Sequence, residues 1–153
     1  MAVDRSAQCT ALAWHCIERG AYQEALEAAH ELLASDPESF DGHYLVGHAA
    51  IGLGDTETAT HAVQALMGRW PDVGHVYVLA GYLAYKEKNL FGAEHCFREA
   101  RRIDPEEPSF YACLAVLLGE KGRVEEGITV GWKGLAIDPN DLPLLKALQR
   151  LYR

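Results

Sequence analysis

The stretch GAEHCFREARRIDP, residues 92–105, decides the fold. Ala93, Phe97 and Ala100 fall four and three residues apart, the spacing of one helix face. Pro105 closes the run because proline cannot continue the hydrogen-bond ladder. That proline belongs to a series. Pro37, Pro71, Pro105 and Pro139 stand 34 residues apart without a slip, preceded by Asp36, Trp70, Asp104 and Asp138. A fixed period of this length marks a repeat array, in which each unit buries its apolar face against the next. If each proline sits near the close of a unit, the units span 6–39, 40–73, 74–107 and 108–141, followed by 142–153.

Alignment in this register places small residues in shared columns. The eighth place holds Ala13, Gly47, Gly81 and Ala115, and the twentieth holds Ala25, Ala59, Ala93 and Gly127, so two backbones approach closely there. The fifteenth place holds Gly20, Gly54 and Gly122, residues suited to a left-handed helix end, with Lys88 the one departure and Asn89 beside it. Apolar residues recur at places 4, 7, 8 and 11, as in Tyr77, Ala80, Gly81 and Ala84, which is helical spacing rather than strand alternation. Each unit is therefore expected to form two helices of roughly thirteen residues joined by a tight turn.

These columns resemble the tetratricopeptide repeat family, whose unit has small residues at places 8, 20 and 27, a large or aromatic residue at 4 and 24, and proline at 32. The third unit matches most fully, through Tyr77, Ala80, Gly81, Ala93, Phe97, Ala100 and Pro105. Leu32 and Leu66 depart from the pattern at place 27, and Cys9 and His43 at place 4. The resemblance covers about 136 of the 153 residues. It implies an all-α fold, a right-handed superhelical α-solenoid of antiparallel helix pairs, forming a single domain over 1–153 and closed by a capping helix over 142–153.

In that capping helix Pro143 falls in the first turn, where its missing N–H costs nothing, and Leu145, Leu148 and Tyr152 form the stripe expected to cover the fourth unit. Leu144 and Leu151 then remain on the other side. An outward leucine pair reads as an oligomer contact, as the mark of a longer parent chain, or as two tolerated surface residues. Gly127, Gly131 and Gly134 share one face of the preceding helix, each costing about 1 kcal/mol against alanine. That helix is expected to be the least stable of the eight in the repeats. Room for the closing helix is the favoured reason for the glycines, over a ligand-operated hinge.

The resemblance further implies that the first helix of each unit lines a concave surface. Its inward places hold Trp14, Tyr44, Leu45, His48, His75, Val78, Leu79, Tyr82, Tyr85 and Cys113, the expected peptide-binding residues. Trp14, Tyr44, Tyr82 and Tyr85 are the expected anchors, because such rings offer large contact area at small entropy cost. His48 and His75 add hydrogen bonds or a response to protonation. A chain with 24% charged residues has placed almost none on this surface. The expected partner is another polypeptide, an extended peptide or an amphipathic helix, and the expected role a scaffold or chaperone. The alternatives are a self-assembling module, a fragment of a larger protein, or side chains that fill a tight superhelix.

Family members that grip the carboxylate tails of heat-shock chaperones use Lys, Asn, Asn, Lys and Arg at five inward places. This chain has Thr10, Trp14, Leu45, His75 and Leu79 there, so that activity is not expected. The lining is more similar to that of repeat chaperones for bacterial secretion substrates.

Other function classes are disfavoured by composition and spacing. A net charge of -8 repels phosphate backbones, so nucleic acid is not an expected partner. No window reaches 18 uninterrupted apolar residues, so membrane insertion is not expected. The start MAVDRSAQCT lacks the basic and apolar regions of a secretory signal, which favours a cytoplasmic location and, with it, free thiols. Cys9 and Cys16 fall at packing places, as small buried fillers would. His15 beside Cys16 and His95 beside Cys96 point about 100° apart on a helix and cannot share a proton. Cys113 is the one thiol expected to be accessible. No metal site, cofactor or catalytic group is expected. Arg69, Arg98, Arg101 and Arg102 interleave with Glu94, Glu99, Asp104, Glu106 and Glu107, a pattern read as a solvated, salt-laced surface.

Overall fold

The computed structural model describes residues 2–153. Among them are nine α-helices and no strand: α1 (Ala2–Glu18), α2 (Tyr22–Ser35), α3 (Phe40–Leu53), α4 (Thr56–Arg69), α5 (Gly74–Lys86), α6 (Leu90–Ile103), α7 (Pro108–Glu120), α8 (Val124–Ile137) and α9 (Leu142–Leu151). The sequence period becomes geometry: α2, α4, α6 and α8 begin 34 residues apart and end 34 residues apart.

Each boundary has a local cause. Ser39, Asp55, Asn89, Glu107 and Asp141 accept hydrogen bonds from backbone N–H groups in the first turns of α3, α4, α6, α7 and α9. At the exits, the Asp36, Asp104 and Asp138 carboxylates accept from the N–H two residues on, at 3.1, 3.3 and 3.0 Å, turning the chain just past the helix end. Trp70 has no carboxylate to do this, and its ring packs edge-on against Phe40, with centroids 5.1 Å apart. The turn inside each pair is left-handed, with φ of 76° at Gly20 and Gly54 and 80° at Gly122. Lys88 takes the same conformation at 63° in spite of its Cβ.

The chain divides into two compact units, Met1–Pro71 and Asp72–Arg153. In the first, α1 and α2 pack together and α3 joins both, around Ala13, Ala28, Ala29, Leu32, Leu45 and Val46, with Cys16, Ala25 and Ala49 adjoining. Alanine dominates where helix axes must come close. Cys16 is 1% exposed, in the filler position its spacing indicated. In the second unit, α5 pairs with α6 and α7 with α8, around Phe97, Phe110, Leu114, Leu117, Leu118 and Leu135. Gly81 makes the α5–α6 approach possible: a Cβ there would stand 2.3 Å from the Phe97 ring.

α9 packs on both α7 and α8. Here the sequence expectation for Leu144 and Leu151 is corrected. Leu144 is fully buried, Ala147 and Leu148 are buried and Leu151 is half-buried, whereas Leu145 and Tyr152 are exposed. The expectation borrowed the stripe by which a first helix meets its own second helix. A helix stacked on a preceding pair turns a neighbouring stripe inward, places 3, 6, 7 and 10 rather than 4, 7 and 11. The three glycines of α8 receive that stripe. A Cβ at Gly131 would lie 2.7 Å from Leu148 Cδ2, and one at Gly134 2.7 Å from Leu144 Cδ1. At Gly127 it would meet the Ala115 carbonyl oxygen at 2.9 Å and Leu151 Cδ1 at 3.2 Å. Burying leucines at about 1.5–3 kcal/mol each offsets the roughly 1 kcal/mol lost per glycine.

Candidate functional site

In the second unit α5 and α7 present adjacent faces. Tyr82 and Tyr85 are one turn apart on α5, while Ala112, Cys113, Val116, Leu117 and Glu120 follow helical spacing on α7. Together with Phe97 of α6 and Pro143 at the start of α9 they line a cleft of about 360 Å³. The floor is apolar and the polar atoms sit at the edges. The Tyr82 hydroxyl lies 3.2 Å from Cys113 Sγ and its ring meets Phe97 edge-on at 5.8 Å. The Tyr85 hydroxyl donates to Glu120 Oε1 at 3.1 Å. Tyr82 and Tyr85 are 36% and 40% exposed while their hydroxyls are engaged.

These contacts tune the groups. Donation to the Glu120 carboxylate, helped by its negative charge, raises the Tyr85 pKa above the usual phenol range. Burial raises the Cys113 thiol, only partly opposed by the Tyr82 contact, so this sulfur is not an activated nucleophile.

In the first unit Trp14 lies 5.8 Å from the Tyr44 ring and 5.9 Å from the His48 ring, and Phe40 stacks on Tyr44 at 5.7 Å. Burial lowers the His48 pKa, partly opposed by a backbone hydrogen bond.

The expected inward residues thus divide. Tyr82, Tyr85 and Cys113 come together at the cleft, and Trp14, Tyr44 and His48 in the ring cluster. His75 is exposed, edge-on to Phe110 at 4.9 Å. Leu45 and Leu79 are fully buried, and Tyr44 and Val78 are 8% and 5% exposed. As a groove surface these four are corrected: places 5 and 6 of α3 and α5 are turned toward packed neighbours, as Leu45 shows within the first-unit core. Of the expected α5 residues, His75, Tyr82 and Tyr85 keep substantial exposure, at places 2, 9 and 12. Phe97, Leu117, Glu120 and Pro143 line the cleft without having been expected at a binding surface. Glu120 was legible, since it stands at place 13 of the fourth unit, an inward place.

A second polar cluster lies at Glu94 of α6. The residue is 8% exposed and accepts from Arg98 at 2.9 Å, from Arg123 at 2.9 Å and from Lys121. Burial pushes its pKa up, but the Lys121, Arg98 and Arg123 hydrogen bonds outweigh that and hold it at about 2. The expectation of a solvated surface lace is wrong for this carboxylate, which ties α6 to the α7–α8 turn. Among the described residues no group of three His, Cys, Asp or Glu side chains is placed to hold a metal ion, and all four cysteines are free. No helix among them is long and apolar enough to cross a membrane.

Comparison with known proteins agrees with this geometry. The model of a family described as tetratricopeptide repeat matches residues 10–72 and 44–108. Curated protein sequences give no match. Among solved structures, a thermophilic repeat protein of Thermus thermophilus superposes with a TM-score of 0.84 at 18% identity, covering 96% of this chain and 81% of that one. PilF of Pseudomonas aeruginosa gives a TM-score of 0.78 at 16% identity, over 98% of this chain and 68% of its own. MamA of Desulfovibrio magneticus RS-1 gives 0.69 at 18% identity, over 90% and 77%. At these identities the likeness concerns the fold.

Proposed function

This chain belongs to the tetratricopeptide repeat family, a scaffold for protein–protein interaction, and from that premise we propose that it holds a polypeptide segment in the α5–α7 cleft. The observation that carries the proposal is the pair Tyr82 and Tyr85, each more than a third exposed above an apolar floor, with hydroxyls already engaged. Rings held in this way supply apolar area without further ordering cost, the property of interface anchors. A cleft of about 360 Å³ takes one large side chain of an extended peptide or of an amphipathic helix. The backbone of such a segment meets Glu120 and the tyrosine edges. A chaperone role, in which the segment is an unassembled client, is one form of this reading.

The test is a peptide selected from a display library and titrated by calorimetry. Tyr82→Lys is expected to lower affinity at least tenfold, with circular dichroism and Tm nearly unchanged. Gln64→Lys, at an exposed position on α4, serves as control. Equal affinity in the Tyr82 variant removes the anchor assignment.

A further inference from the structure

We propose that copies of this chain associate head to tail, the outer face of α9 on one copy docking against the open side of α1 and α2 on the next. The proposal is independent of the cleft. It starts from the charge distribution: residues 1–71 hold ten acids and three Lys or Arg, whereas residues 72–153 hold twelve acids and eleven Lys or Arg. The excess acid is concentrated in the first unit.

Two helices carry the contrast at their surfaces. α2 has Glu24, Glu27 and Glu31 at helical spacing and no Lys or Arg. Its acid stripe borders α1, because Cys16 Sγ lies 3.9 Å from Glu24 and Cys9 Sγ 3.7 Å from Glu31. Between those two cysteines in α1 stands Leu12, 54% exposed. Arg5 and Arg19 stand near the two ends of α1, outside this central stretch.

α9 is the complement. Lys146 and Arg150 fall four apart on its exposed side, Arg153 follows two residues past its end, and the helix contains no acid. Beside them lies an apolar strip of Leu142, Leu145 and Tyr152, exposed by 58, 43 and 63%, extended by Trp132 at 55%. Trp132 Nε1–H donates to the Tyr152 hydroxyl at 3.0 Å, which holds the two rings as one surface. Four side chains of this size, about half exposed, present roughly 400 Å² of apolar area, half of the about 800 Å² per partner that a stable interface buries. Among the described residues none of Glu24, Glu27, Glu31, Lys146, Arg150 and Arg153 is engaged in an ion pair.

Charge also bears on the symmetry. α9 against α9 sets Lys146 and Arg150 on the same two cations, and α2 against α2 sets three acids on three acids, so a twofold dimer through either face is opposed. A heterologous contact between two different faces joins copies into a closed ring or an open chain, according to the rotation from one copy to the next.

The experiment is sedimentation velocity on the full chain over a concentration series at low salt. The mean mass is expected to rise above that of the monomer with concentration and to fall when salt is added. The variants Lys146→Glu/Arg150→Glu and Glu24→Lys/Glu31→Lys each lower the association constant roughly a hundredfold and remain monomeric, with unchanged helical circular dichroism. Mixed in equal amounts, they regain the large species, since each now complements the other. A chain that stays monomeric throughout, or a mixture that fails to regain association, overturns the proposal. A partner protein with an acidic apolar helix as the occupant of α9 corresponds to the first of these outcomes.

Discussion

Gly131→Ala is the substitution whose sign depends most on the neighbour. In an isolated helix the change is stabilising by about 1 kcal/mol, because alanine loses less backbone freedom. Here the new Cβ stands 2.7 Å from Leu148 Cδ2 and 3.0 Å from Leu148 Cγ, so the α9 leucine must leave its position or α9 must retreat from α8. Overpacking of this kind costs about 1–3 kcal/mol, and the net is a loss of about 1 kcal/mol, with α9 the element that loosens. Leu148→Ala alone removes a buried side chain, 5% exposed, and costs about 2–5 kcal/mol. It also removes the atoms that obstruct residue 131. In that background Gly131→Ala therefore changes sign and stabilises by about 0.5–1 kcal/mol, a coupling of roughly 1–3 kcal/mol. Urea melts of the four proteins in the cycle, at equal m-values, measure it. Additive effects, or a stabilising Gly131→Ala in the otherwise unchanged chain, would refute the argument that the α8 glycines exist to admit α9.

The remaining predictions concern the other local features. The depressed Glu94 pKa, about 2 against an ordinary 4.5, stabilises the fold fully above the ordinary value, and this contribution fades as pH falls from about 5 toward 2, on the order of 3 kcal/mol in all. Glu94→Gln is expected to cost about 1–3 kcal/mol at pH 7 and to flatten that part of the stability profile; a profile unchanged by the substitution contradicts the assignment. Lys88→Gly relieves a non-glycine residue at φ 63° and is expected to gain about 0.5–1 kcal/mol in thermal melts, whereas no gain means that Lys88 is unstrained there. The Cys113 thiol is expected to react with a neutral alkylating reagent more slowly than a free thiol at the same pH, and faster once Tyr82→Ala opens the cleft. Equal rates in the two proteins show that the ring does not shield the sulfur.

What was legible in the sequence follows from which interactions are local. The proline period, the glycines at place 15 and the aspartates before three of the prolines act within a few residues of themselves, so helix number, length and turn conformation could be read directly. Lys88 shows the strength of that reading: a residue that disfavours the left-handed region adopts it because the pair around it requires the turn. The burial of Leu45, Leu79 and Leu144 was not legible in the same way. Each lies on a helix whose sequence leaves more than one apolar stripe to choose from, so rotation about the axis is set by neighbours distant in sequence. The short α9 misled for this reason, offering two overlapping apolar stripes of which only one fits the α8 glycines. Glu94 looked like one acid among several because its three partners lie four, 27 and 29 residues away.

The central claim is that a polypeptide sits between α5 and α7. Amide and side-chain chemical shifts, followed while a selected peptide is titrated into the labelled chain, test it directly. Perturbations centred on Tyr82, Tyr85, Val116 and Glu120, saturating at one peptide per chain, are the expected result. Saturable perturbations confined to other surfaces, with those four residues unmoved, contradict the account.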